Sequence, residues 1–500
     1  MMRSVMLSAV AATAMIIASP VLAQSEEEKI REVVEAMISD MSGGDPDAMG
    51  MKWDGELTVT EANGGFYLAR LPSLSIIDPN GSGVEVGVIA MNVRARPDAD
   101  YDLAIAMPDP MYVIDENDRV AEITIGEQRL FARWSSEVDA LRTVKLDWRD
   151  MVITGLEEGD EAVVRMEQIA LDTDNTPSGE EGLWNNSVGF SMTGITADSP
   201  DNVRVFALGK MNMVANTTNY DYPGFVTFNR KMQAVQTKMA DPAMMSDPSK
   251  QQALMGELSE TIKGAGQIMG SDFTVQFDLD TLKISDESGD EGGGIDQVMY
   301  RMEMDDLTED NANAKINWMF NGLSISPAMD HHRLLPRRSD GEIAINAIPT
   351  KKLLQTATSS LDTMAAGGPP PMMALFQAPM FFAQAGTSID IGAANVNSQL
   401  VDMTSTGRFY MTEELMMGNV FMAGKLTANI SGLDAALAEA SQSDDPQMKQ
   451  AEGTLNMLRN LGTDIGDDKR SFEIELTTDG KRLINGQDMD TVMSGGGSPQ

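Results

Sequence analysis

From Met51 to about Ala215 the apolar residues fall on every second position. Val84, Val86 and Val88, then Leu103 and Ile105, Ile123 and Ile125, Val144, Leu146 and Trp148, and Val203 and Val205 all keep this period. A period of two places the apolar side chains on one face of an extended chain and leaves the other face to water. The runs are separated by turn residues at Asp78-Pro79-Asn80-Gly81, Asp115-Glu116-Asn117-Asp118 and Glu157-Glu158-Gly159-Asp160. Such short connections leave no room for crossover helices and predict an antiparallel meander, either one large twisted sheet or a sandwich.

Further on the period changes within single stretches. Between Val420 and Ala440, alternating Val420, Met422, Leu426, Ala428 and Ile430 give way to Leu433, Ala436, Leu437 and Ala440, a strand running directly into a helix. Gly341 to Leu361 repeats the design: Ile343, Ile345 and Ala347 alternate, Pro349 suits a first helical turn, and Leu353, Leu354, Ala357 and Leu361 form the stripe. Other helices are predicted from Ser25 to Met41, where Ser25 and Glu28 have capping-box spacing, and from Val226 to Met269 with breaks at Asp241-Pro242 and Asp247-Pro248. Phe273, Val275, Phe277 and Leu279, then Ile316, Trp318 and Phe320, are strands, with Leu323 and Ile325 prolonging the second after a bulge at Gly322. The order predicts an α+β, antiparallel-sheet-rich protein of two similar sheet-plus-helix halves dividing near Gly270, elongated in outline. The expected segments are a signal peptide over 1–23, a helix and linker over 24–50, sheet regions over 51–270 and 271–490, and a disordered tail over 491–500.

The signal peptide is read from Arg3, an apolar core from Val5 to Ala18, and small residues at Val21 and Ala23 before Gln24. That core falls short of the roughly 20 residues a spanning helix needs, so cleavage after Ala23 and a periplasmic product are expected, with no later transmembrane span. With no Cys, disulfides, thiolate nucleophiles and sulfur-ligated zinc are excluded. Acidic residues outnumber basic ones 76 to 37, a balance that repels nucleic acid.

Chemistry is sparse. His331 and His332 are the only histidines, and as neighbours on an extended chain they point apart, a poor metal site. With Arg333, Arg337 and Arg338 they form the one basic island, a candidate anion contact set against a solvated loop. There is no GxSxG elbow, P-loop, dinucleotide fingerprint or HExxH, so no catalytic residue, cofactor or metal is assigned. The Asp78 loop lacks the closing acid of an EF-hand, Ile89 standing in its place. Asp286 to Asp296 is expected as a flexible acidic loop. Forty methionines admit core packing or Cu(I) binding at Met211/Met213, Met302/Met304 and Met49/Met51. An uncharged loop holding Met372, Met373, Leu375, Phe376, Met380, Phe381 and Phe382 is a candidate contact for a ligand or partner, set against a plug for a sheet core.

The secretory start, the acidic Met-rich strands, the units at Gly341–Leu361 and Lys425–Ala440, and the closing LTTDGKRLINGQ of Leu476–Gln487 resemble a family of uncharacterised exported proteins of alphaproteobacteria, domain-of-unknown-function family 2125. The resemblance implies an envelope location and no established activity. The expected function is a non-enzymatic scaffold or apolar-groove binder of envelope lipid or a periplasmic protein. A hydrolase using paired carboxylates and Met-cluster copper binding are the alternatives.

Overall fold

A computed structural model describes residues 25–41, 50–78, 80–156, 163–201, 203–240, 247–286, 288–289, 291–326, 333–368, 372–416, 419–444 and 446–493. Helix α1 (Glu26–Met41) starts with the expected capping box: the Glu28 amide donates to Ser25 Oγ at 3.2 Å and the Ser25 amide to Glu28 Oε2 at 3.0 Å. There follow β1 (Met51–Asp54), β2 (Thr58–Ala62), β3 (Phe66–Ile77), β4 (Gly83–Ala95), β5 (Tyr101–Ala106), β6 (Met111–Asp115), β7 (Asp118–Ser135), β8 (Ala140–Gly155), β9 (Val163–Pro177), β10 (Trp184–Asp198) and β11 (Arg204–Tyr220). Two helices, α2 (Tyr222–Ala240) and α3 (Pro248–Ile268), lead into β12 (Asp272–Ser285), β13 (Gly292–Asp305), β14 (Ala312–Asn321), β15 (Ser324–Ser326) and β16 (Arg338–Ile348). Next come α4 (Thr350–Ala365), α5 (Met372–Ala385), β17 (Ser388–Asn397), β18 (Asp402–Met416) and β19 (Asn419–Ser431). The chain ends with α6 (Leu433–Gln442), α7 (Pro446–Leu461), β20 (Thr463–Gly466), β21 (Lys469–Leu476), β22 (Arg482–Ile484), β23 (Gln487–Asp488) and α8 (Met489–Met493).

All 23 strands belong to one antiparallel sheet. Strands that follow one another in sequence lie side by side. Where the chain breaks a strand in two, the pieces share a lane, as β5 and β6 do between β4 and β7. The sheet passes Gly270 without interruption, since β11 pairs β12 from Phe206↔Ile284 to Thr218↔Asp272. The sheet-to-helix units stand as expected at β16–α4 and β19–α6. Two predicted loops differ. Met372 to Phe382 lies in helix α5, because Met, Leu, Ala and Gln favour a helix and outweigh the single internal Pro379. The acidic loop is shorter than expected, since β13 already begins at Gly292 and includes Asp296.

Cross-strand register places the alternate residues of all these strands on two faces of opposite character. One row runs Leu146, Leu171, Phe190, Met213, Phe277, Tyr300 and Trp318 from β8 to β14, each residue directly opposite the next. The neighbouring row on the other face runs Lys145, Asp172, Gly189, Val214, Gln276 and Arg301. The apolar face is buried at its two ends, and in a smaller cluster of Val138, Ala140, Trp184, Tyr220 and Tyr222 where the strands meet α2. At the start of the chain α1 covers it with Ile30, Val34 and Met37, against Val93, Leu103 and Trp134. At the far end α6 and α7 cover it with Leu433, Ala436 and Met448, against Ile430 and Phe472.

The polar face is held by ion pairs. At the ends of β9, β10 and β11, Asp198 accepts from Arg165 Nη1 at 2.9 Å and from Arg204 Nε. The Arg204 guanidinium, and then Arg165, hold the Asp198 carboxyl below the usual range. A carboxyl so lowered stabilises the fold fully above its unfolded pKa of about 3.9, and that contribution is lost as pH falls through the folded value. Asp198→Asn is therefore expected to lower Tm at neutral pH, with the gap to wild type closing as the medium is acidified below about pH 4. Thermal melts of both proteins across that range check it, and a gap constant with pH would exclude the ion pairs as its source.

Candidate functional site

The middle of the apolar face is uncovered. From β10 to β14 the inward residues of three adjacent rows include Val188, Phe190 and Met192 on β10, Met211 and Met213 on β11, Phe277 and Leu279 on β12, Val298 and Tyr300 on β13, and Trp318 and Phe320 on β14. None of these belongs to a buried core. Met213 is 36% exposed and Tyr300 38%, and the rest are half-buried. The bare strands β10 to β14 cross four strand spacings, about 19 Å. Among the described residues no charged side chain interrupts the rows.

A second feature crosses the same strands at right angles. In each strand from β7 to β14 the apolar alternation slips by one residue: Val144, Leu146 and Trp148 are followed by Met151 and Ile153, and Phe273, Val275, Phe277 and Leu279 by Leu282 and Ile284. The slips lie side by side, at Gly126, Asp150, Glu167, Gly194, Gly209, Thr281, Asp296 and Gly322, where the regular register is skipped. Asp150, Gly194, Thr281 and Gly322 take positive φ of 52°, 62°, 57° and 77°. Four of the seven strand pairs along this line set one glycine against a larger residue: Gly126 against Asp150, Gly194 against Glu167, Gly209 against Thr281 and Gly322 against Asp296. A Cβ on Gly126 would stand 2.9 Å from Asp150 Cβ, and one on Gly322 would stand 2.5 Å from Asp296 Cβ. Aligned slips of this kind bend a sheet along their line. The slip preserves the apolar face on both sides of the crease, so that one apolar surface, the trough, continues across it.

At the helix end of the strands, α2 and α3 overhang this face and flank an open-sided cavity of about 640 Å³ with Val188, Phe273 and Met304 of the sheet. A hollow of about 560 Å³ lies on the opposite face, lined among others by Arg94, Asp102 and Arg133. There Asp102 accepts from Arg94, Arg96 and Arg133 at 3.0–3.3 Å, so the charges are spent on one another.

The predicted site residues are dispersed. His331 and His332 lie outside the described residues, as does Met49. Arg333 pairs with Glu439 of α6 and donates to Gln399 Oε1 at 3.1 Å, Arg338 pairs with Asp340 at 3.0 Å, and Arg337 shares backbone hydrogen bonds with Gly322 and Asn397. Met372, Met373, Leu375 and Phe376 fall in the first half of α5. In its second half Met380 is exposed, Phe381 and Phe382 are half-buried, and Lys352 of α4 sits 5.4 Å from the Phe381 ring centre. Met211 and Met213, like Met302 and Met304, share the apolar face, Met211 standing opposite Met192. The Asp78 turn is closed by its own carboxylate, which accepts from the Asn80 and Ser82 amides at 2.8 and 2.9 Å. Among the described residues no three His, Cys, Asp or Glu side chains are grouped to hold a metal. One acid pair has divergent titration. Thr218 and Ser271 hydroxyls hold Asp272 low, while burial and the Asp272 charge raise Asp305. Both lie on the polar face, outside the cavity.

The crease and the cavity are absent from the sequence reading. The one-residue slip of alternation beside a glycine was its visible signal, noticed at Gly322 alone.

A family model described as "Uncharacterized protein conserved in bacteria (DUF2125)" matches residues 229–481. No curated protein and no solved structure matches the chain.

Proposed function

We propose a lipid-holding role for this chain, which belongs to the family described as "Uncharacterized protein conserved in bacteria (DUF2125)". In this reading it is a non-enzymatic protein of the bacterial envelope whose open trough takes lipid acyl chains. The observation that carries it is the apolar face of β10 to β14 beyond α2 and α3, unbroken by charge, with Met213 and Tyr300 exposed in its middle row. An apolar surface of that extent left in water marks a binding surface.

Acyl chains suit it better than a peptide. The trough offers the face of a sheet, whose backbone groups are already paired within it, so an extended peptide lying there would bury amides without partners. An acyl chain carries no polar group along its length. The bare span of about 19 Å compares with the roughly 15 Å that one leaflet's chains occupy in a bilayer. Methionines at Met192, Met211 and Met213 adapt to chains of differing shape, which accounts for the Met content without copper. The signal-like N-terminus supports an envelope address. The uncharged second half of α5, at the helix end of the trough, suits contact with the membrane from which a lipid is taken.

Native mass spectrometry of residues 24–500, purified from the periplasm without detergent, tests this reading. Extra mass removed by organic solvent and identified as lipid is the expected result. A bare mass, or a retained protein in its place, overturns it.

A further inference from the structure

The apolar rows continue beneath the helices. Val188 and Phe273 lead from the open trough into the open-sided cavity of about 640 Å³, where Phe225 and Phe228 of α2 and Ile268 and Met269 at the end of α3 form the outer wall. No lining residue is charged. Four polar side chains on its wall spend donors inside the protein. Asn186 Nδ2 donates to Asn175 Oδ1 at 2.9 Å, Asn175 Nδ2 to the Arg142 carbonyl at 3.2 Å, Tyr220 to Asn175 Oδ1, and Tyr222 to the Leu141 carbonyl at 2.6 Å. Burial raises the Tyr220 phenol, so the wall stays neutral.

The geometry points to this cavity as the seat of the methyl end of one acyl chain, whose remainder and headgroup lie out in the trough. The inference rests on the lipid-holding reading and adds to it a fixed end and a length limit. A headgroup is excluded from the cavity because every ordinary one carries charge or several hydrogen-bonding groups, and these would be buried without partners. The volume sits within the roughly 300–1,000 Å³ of small-molecule pockets. Continuity of the rows from Val188 to Phe190 and from Phe273 to Phe277 supplies the path for the rest of the chain.

Binding of lysophosphatidylcholines of increasing chain length to the delipidated full chain, followed by calorimetry, tests the assignment. For wild type, affinity should rise about fourfold with each added methylene until the cavity is full, then more gently as further methylenes lie half-covered in the trough. In Val188→Trp, and separately in Met304→Trp from the opposite wall, the steep part of the rise should end several methylenes earlier. Folding of each variant is checked by circular dichroism. A lipid brominated at the chain terminus provides a measurement in the unaltered cavity. It should quench Trp184, whose ring lies 5.6 Å from that of Tyr222 on the cavity wall, more strongly than a lipid brominated near the headgroup. Variants that follow the wild-type length dependence, or equal quenching by the two bromolipids, overturn the cavity assignment and leave the trough standing. Failure of wild type to bind any length overturns the lipid reading itself.

Discussion

Gly322→Val is expected to destabilise the protein by about 3 kcal/mol and to weaken its hold on lipid at the same time. Two costs add. At φ +77° any side chain meets its own backbone, about 1–2 kcal/mol for a left-handed residue and more for a β-branched one. The new Cβ would also stand 2.5 Å from Asp296 Cβ, an overlap that rotation of the Asp296 side chain cannot relieve because both atoms are fixed by backbone. Overpacking of this kind costs about 1–3 kcal/mol. Asp296→Gly in the same chain removes the second cost and leaves the first, so the double variant should recover about half the loss. Denaturant titration of the wild type, both single variants and the double measures the recovery. Equal stability of Gly322→Val and the double variant would show that the two residues do not meet at the crease. Gly55 is the control: it too has positive φ, but a Cβ there meets nothing within 4 Å, so Gly55→Val should carry the backbone cost alone.

How far this architecture was legible in the sequence depends on the range of the physics involved. Alternation is local, so Val144, Leu146 and Trp148 announced a strand and Leu433, Ala436 and Leu437 announced the helix that follows β19. Neighbour pairing of consecutive strands follows from short turns and gave the meander. What the sequence left hidden is register. The slip at Asp150 and the slip at Gly194 each look like an interruption in one strand, and only the pairing Asp150–Glu167–Gly194 turns them into one line across the sheet. Exposure is equally non-local. Phe277 alternates as cleanly as Leu103, yet Leu103 is covered by α1 and Phe277 by nothing described. The uncharged run at Met372 drew attention as the most apolar local stretch, but a larger apolar surface is assembled from single residues on β10 to β14, far apart in the chain. Patterning states which face is apolar; the placing of helices decides which part of that face stays bare.

That distinction between a core and a bare face gives the largest functional effect. Met213→Asp combined with Tyr300→Asp should abolish recovery of lipid with the purified protein while lowering Tm by only a few degrees. The two residues flank Phe277 in the middle of one row, and each already keeps more than a third of its surface in water, so an aspartate in the empty trough stays solvated. Once an acyl chain lies over the row, each carboxylate loses water and gains no partner, a penalty of at least about 2 kcal/mol per site and so about a thousandfold for the pair. The same exchange at Leu103, 1% exposed beneath α1, would bury the charge in the folded state and unfold that end of the sheet. Native mass spectra and thermal melts of the two kinds of variant therefore separate binding from folding. A Met213→Asp/Tyr300→Asp protein that melts with wild type but still carries the wild-type lipid would place the ligand away from the trough. A double variant that unfolds would mean that the face is covered in solution, and the surface left bare between the two cores would then be an interface with another protein.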